Sequence, residues 1–118
     1  MAPDCLFCRI IRKEIPAKLV HESDDCVAFH DIDPQAPVHV LVIPREHAGS
    51  LNDISDPAVV GRLALVAADI ARREGIAESG YRTVINTNRD GGQTVSHLHL
   101  HCLAGDICRG RQGETMSS

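Results

Sequence analysis

Hydrophobic positions along the chain change period several times, and each change predicts an element. Leu6, Phe7, Ile10 and Ile11 recur at helical spacing, so residues 5–13 read as a short amphipathic helix that Asp4 can cap. Glu14-Ile15-Pro16 ends it, because a proline cannot continue a helix and pushes its predecessor towards extended geometry. Two strands, 18–22 and 26–31, are expected around a Ser23-Asp24-Asp25 turn. After a stiff loop holding Pro34 and Pro37, residues 38–43 form a short β-branched run suited to an interior strand. Residues 53–56 are turn-like and Pro57 suits a first helical turn. The helix expected over 58–74 carries Val59, Leu63, Val66, Ala67 and Ile70 on one stripe, with Gly75 as its stop. A strand over 81–87 leads through Asp90-Gly91-Gly92 into a last strand over 97–103. There His97, His99 and His101 alternate with Leu98, Leu100 and Cys102, so imidazoles project from one face and apolar groups from the other. The order αβββαββ with antiparallel neighbours predicts an α+β fold.

Composition narrows the function classes. At 118 residues the chain forms one domain with a real core, and with aromatics at 3% Leu, Ile, Val and Ala must build it. A net charge of −4 argues against a general grip on nucleic acid, so any bound phosphate is held locally by histidines and backbone N–H groups. No apolar run is long enough to cross a membrane, and Asp4, Arg9, Arg12 and Lys13 interrupt the place where a signal peptide would be apolar. A cytoplasmic protein is expected, its five cysteines reduced; their odd number fits no closed disulfide framework.

The histidine strand admits two chemistries. Alternating imidazoles can chelate a divalent ion, or one neutral imidazole can attack an electrophile such as phosphorus while its neighbours assist. Context favours attack: Gly91-Gly92-Gln93-Thr94 offers N–H groups and a hydroxyl suited to an anion, and imidazole is unprotonated near neutrality. His21, His30, Cys26 and Cys108 receive no role.

His97-Leu98-His99-Leu100-His101-Cys102-Leu103 resembles the motif of the histidine-triad (HIT) superfamily. Residues 4–18, Phe29-His30-Asp31-Ile32, the run from Pro34 to Pro44 and Asp90-Gly91-Gly92-Gln93 resemble its nucleotide-binding, phosphoramidase-like branch. The resemblance spans about residues 4–104 and implies a HIT domain over 1–104 with a tail over 105–118 that is mobile or dimer-crossing. It also implies a five-stranded antiparallel sheet with two helices, paired into a homodimer with a continuous ten-stranded sheet. The implied activity is cleavage of the P–N bond in purine nucleoside phosphoramidates through a nucleotidyl-histidine, on nucleotides such as AMP and GMP.

In that scheme His99 is the nucleophile, and His101 and His39 touch the phosphate and leaving group. Asn86, Gln93 and Thr94 lie at phosphate-binding positions; many relatives carry serine where Thr94 stands. Asp31 matches the ribose position, and Leu6, Phe7, Ile10, Phe29 and Ile32 match an apolar base pocket. By themselves those apolar residues would read as core. Cys5-x-x-Cys8 alone is half a tetrahedral zinc site. Zinc-containing relatives complete it with residues matching His47 and His97, which implies a structural Zn²⁺ and removes His97 from the chemistry. The chain departs after the triad, where Ala104-Gly105-Asp106 replaces a Gly-Gly-Arg and no tryptophan occurs. Rival readings are a dinucleoside polyphosphate hydrolase or nucleotidyl transferase of the superfamily, a non-catalytic nucleotide-binding scaffold, and a metal-dependent hydrolase.

Overall fold

A computed structural model describes residues 5–105 of the chain. Five antiparallel strands form one sheet: β1 (Leu19–Glu22), β2 (Cys26–His30), β3 (Val38–Pro44), β4 (Arg82–Val84) and β5 (Leu100–Ala104), in the order β1-β2-β3-β5-β4. Two helices, α1 (Leu6–Ile11) and α2 (Pro57–Arg73), cover opposite faces. The fold is the α+β arrangement read from the sequence, with the same element order.

Strand alternation sorts the core between the helices. Cys26, Ala28, Val40, Val42, Leu100 and Cys102 point to Leu63, Ala67 and Ile70 of α2. Val27, Phe29, Leu41 and Ile43 point the other way, to Phe7, Ile10 and Ile11 of α1. Asp56 caps α2 through the Ala58 amide and Pro57 occupies its first turn. No helix among the described residues is long and apolar enough to cross a membrane.

Helix α1 and strand β4 are shorter than the sequence reading expects. Helix α1 is capped by Cys5, whose Sγ accepts the Cys8 amide, while Asp4 lies outside the described residues. It stops at Ile11, before Pro16 acts, because Lys13 turns left-handed (φ 62°) and Glu14 N–H returns to Arg9 O at 2.9 Å. Strand β4 keeps only three residues of the expected seven-residue run, Arg82–Val84.

The histidine stretch changes most. Strand β5 begins at Leu100, so His97, at the end of a bend over 95–97, and His99 both precede the ladder. Their segment turns its amides elsewhere: His97 N–H bonds Val95 O at 2.9 Å and Leu98 N–H bonds Ala48 O at 2.7 Å. The expected alternation of sides still holds beyond the ladder: Leu98 joins Leu100 and Cys102 against α2, while His97 and His99 meet Phe7 of α1. Loop hydrogen bonds, not strand pairing, hold the first two imidazoles there. At the far end, Gly105 (φ 118°) leaves β5 where a Cβ would lie 2.6 Å from Pro37, so only glycine fits. The expected tail beyond Gly105 lies outside the described residues.

Candidate active site

The site begins on the α1 face of the sheet. His39 lies two residues from Leu41 on β3, and Leu41 pairs with His101 on β5, so both imidazoles project beside α1. The bend before β5 brings in His99, whose ring lies 5.1 Å from those of Phe7 and His101. His39, His97, His99 and His101 are all buried.

Hydrogen bonds of fixed polarity assign the protons on these rings. His99 Nδ1 stands 2.7 Å from the carbonyl of His97, so Nδ1 carries the proton and donates. The Gln35 amide donates to His39 Nδ1 at 2.9 Å, which puts the His39 proton on Nε2. That Nε2–H faces His101 Nδ1 at 2.9 Å, so the proton of neutral His101 is on Nε2. His97 Nε2 donates to Pro44 O at 2.9 Å, turning its Nδ1 lone pair towards Cys5 Sγ, 3.3 Å away. Three of the four lone pairs thus face a thiol or an N–H. The fourth, on His99 Nε2, is buried with no partner among the described residues. It is the one imidazole nitrogen here presented as a nucleophile.

Burial keeps these rings neutral. It pushes His99 below the ordinary histidine range, opposed by the His97 carbonyl and the charge of Asp31. His39 is lowered by burial against the pull of Asp31 and Asp33. His101 is pushed down to about 3, by burial first and then by its neighbours His99 and His39.

A second cluster joins α1 to the bend. Cys5, Cys8, His47 and His97 bring one ligand atom each within 4.8 Å of one another. Cys8 Sγ is 3.4 Å from His47 Nδ1, and the His47 and His97 Nδ1 atoms are 3.2 Å apart. The donor set fits zinc: two thiols, two imidazoles and a carbonyl holding the far nitrogen of His97. The other close group, Asp31, His39 and His101, fits a metal poorly, since the Gln35 amide keeps a proton on the His39 nitrogen that faces it.

Phe7, whose ring meets that of His99, also lines a cavity of about 320 Å³ together with Leu6, Ile10, Phe29, Leu41 and Val95, with Asp31 and Thr94 as polar edges. Residues 12–107 match the family model of the HIT domain. The chain is 50% identical over 107 residues to the purine nucleoside phosphoramidase of Escherichia coli (strain K12), covering 89% of this chain and 90% of that one. It superposes on a HIT family hydrolase from Legionella pneumophila Philadelphia 1 with a TM-score of 0.84 and 46% identity, over 86% of this chain and 93% of that one. A histidine triad protein from Clostridium difficile gives a TM-score of 0.86 at 44% identity, over 89% and 93% of the two chains. The chain belongs to the HIT family.

The residues expected at the HIT site take different places in the structure. Phe7, Ile10 and Phe29 are buried in the cavity wall, whereas Leu6 is 44% exposed and Ile32 97% exposed at the mouth. Gln93 braces the glycine-rich turn: its Nε2 donates to Gly49 O at 2.7 Å and Val95 O at 2.9 Å, and its Oε1 accepts the Asn88 amide at 2.7 Å. Asn86 is half-buried against Gly91. The sequence reading missed Ile15, Pro16, Ala17, Leu41 and Val95 as lining residues, and left His30, also on the lining, without a role. Cys5, Cys8, Cys26 and Cys102 carry no disulfide.

The neutral core of imidazoles has a cost in acid. His101 binds its proton near pH 3 when folded but near 6.5 when unfolded, so the unfolded chain holds more protons below pH 6.5. Stability is then complete above pH 6.5 and falls as pH drops towards 3, by roughly 3 kcal/mol at pH 4 from His101 alone. Urea midpoints measured from pH 7.5 to 4 should fall accordingly, and His101→Gln should flatten the slope. A midpoint unchanged across that range would contradict the assignment.

Proposed function

We propose that this HIT-family enzyme hydrolyses the P–N bond of purine nucleoside phosphoramidates, releasing a nucleoside monophosphate and an amine. The observation that carries the reading is the His99 ring, held by the His97 carbonyl with its Nε2 unpaired, packed against Phe7, which lines a nucleobase-sized apolar cavity. The relative named as a purine nucleoside phosphoramidase supports the same reading.

In this scheme Nε2 of His99 attacks the α-phosphorus as the P–N bond breaks, giving a nucleotidyl-histidine. The amine departs with a proton supplied from solvent by way of His101, and the water that later displaces His99 gives one back to solvent by the same route. His39 holds His101 in the tautomer with Nε2–H through their 2.9 Å contact. Asp31 receives the ribose hydroxyls, while Thr94, Asn86 and the turn braced by Gln93 hold phosphate oxygens. Base contacts come from Leu6, Phe7, Ile10, Phe29 and Ile32. Because those side chains are apolar, adenine and guanine are both accommodated.

Zinc would be held by Cys5, Cys8, His47 and His97, and would pin α1 to the bend without taking part in the chemistry. We take residues 1–104 as the catalytic domain and place the protein in the cytoplasm, where such thiols stay reduced. A homodimer with a ten-stranded sheet is supported by β4 lying at the sheet edge and by Leu65 of α2, which is 72% exposed.

Steady-state hydrolysis of adenosine 5′-phosphoramidate should exceed that of a dinucleoside polyphosphate, and should persist when chelator is added to folded protein. Faster polyphosphate cleavage would transfer the chain to that branch of chemistry. Nucleotide binding without turnover of either substrate would make it a scaffold. Activity proportional to added metal in folded protein would contradict the metal-independent step.

A further inference from the structure

Asp31 stands where two networks meet. Its Oδ1 accepts the Asp33 amide at 2.9 Å, closing a tight turn just after β2. Its Oδ2 lies 3.5 Å from Nε2 of His39, with the Asp31 side chain only 11% exposed. The same His39 nitrogen faces His101 Nδ1 at 2.9 Å. One N–H therefore has a carboxylate and an imidazole within reach, and the Gln35 amide on the opposite nitrogen leaves the ring no other neutral tautomer. With both imidazoles buried, a carboxylate this close to the hydrogen-bonded pair biases both its orientation and its protons.

Resting on the phosphoramidase reading, we propose that Asp31 is a positioning residue for the His39–His101 pair, in addition to its contact with ribose. It keeps the His39 N–H directed along the pair, and so keeps the His101 proton on the nitrogen that serves the leaving group. Ribose recognition and departure of the amine then share one carboxylate. Nucleotides that engage Asp31 differently are expected to differ in turnover as well as in affinity.

A substrate without the vicinal hydroxyls separates the two roles. Wild type and Asp31→Asn are compared on adenosine 5′-phosphoramidate and on its 2′,3′-dideoxy analogue. Asparagine keeps an oxygen for the Asp33 amide, so the turn after β2 is retained, but it offers His39 no negative charge. The expected result is a fall in kcat of about tenfold or more on both substrates, with KM rising only for the ribose substrate. Unchanged kcat on the dideoxy analogue would overturn the proposal, leaving Asp31 as a ribose ligand alone. Nitrogen-15 NMR of the histidine rings tests the same point without turnover. Wild-type His39 should be protonated on Nε2, and Asp31→Asn should shift the His39 and His101 resonances; identical spectra would also overturn it. If wild type hydrolyses neither phosphoramidate, the functional reading fails, and the NMR comparison still decides what Asp31 does to the pair.

Discussion

His99→Ala is expected to lower phosphoramidate turnover by at least about 10³-fold and to abolish the covalent adduct. The expectation follows from the allocation of lone pairs. His97 turns its lone pair to the thiols, His39 accepts the Gln35 amide, and His101 accepts from His39. None of them can replace the lost nucleophile without breaking a hydrogen bond that fixes its ring. Uncatalysed attack by water would retain only the binding and electrostatic part of the rate. Single-turnover mass spectrometry with adenosine 5′-phosphoramidate provides the check: wild type should gain one adenylyl group transiently and His99→Ala should not. Rapid turnover by the variant would remove His99 from the nucleophile role.

Cys8→Ala should reduce bound zinc from about one per chain to a trace and destabilise the fold. Cys8 is fully buried and its Sγ approaches both His47 and His97, so its removal breaks the ligand set at its centre. A metal present at a few hundred times its dissociation constant adds about 3 kcal/mol to the native state, or roughly 10–15 °C in melting temperature for a domain this small. Cys26→Ala is the matched control, because Cys26 is also buried but packs against α2 on the opposite face of the sheet. It should keep its zinc. Metal analysis with thermal melts would show whether the two variants separate; equal zinc in both would rule out this ligand set.

What the sequence displayed and what it concealed divide along side chain and backbone. The stripe on α2 was legible because Leu63, Ala67 and Ile70 are apolar at helical spacing and all meet the same sheet face. The histidine triad was legible as a pattern, as were the sides its residues take; what the pattern did not show is that β5 begins only at Leu100, so that loop hydrogen bonds hold His97 and His99. The groups that set each tautomer are the His97 and Pro44 carbonyls and the Gln35 amide, backbone groups that every residue supplies, save the N–H that proline lacks, and no motif encodes. His47 could not be paired with Cys8 by spacing, as 39 positions separate them; only the resemblance named it. Likewise Ile15 and Pro16 of the cavity wall read as part of the helix terminator Glu14-Ile15-Pro16, because the same proline that stops a helix also presents a flat apolar face.

Helix α1 has only six residues, yet Cys8 and the N-cap Cys5 belong to the Cys/His group proposed to hold zinc while Phe7 and Ile10 line the cavity proposed for the nucleotide. Two ligands that order the same two turns of chain are thermodynamically linked. Whatever factor zinc adds to nucleotide affinity, bound nucleotide must return to zinc affinity. The metal content of this protein would then vary with the supply of its substrate, and a cell short of zinc would see weaker nucleotide capture before it saw an unfolded enzyme.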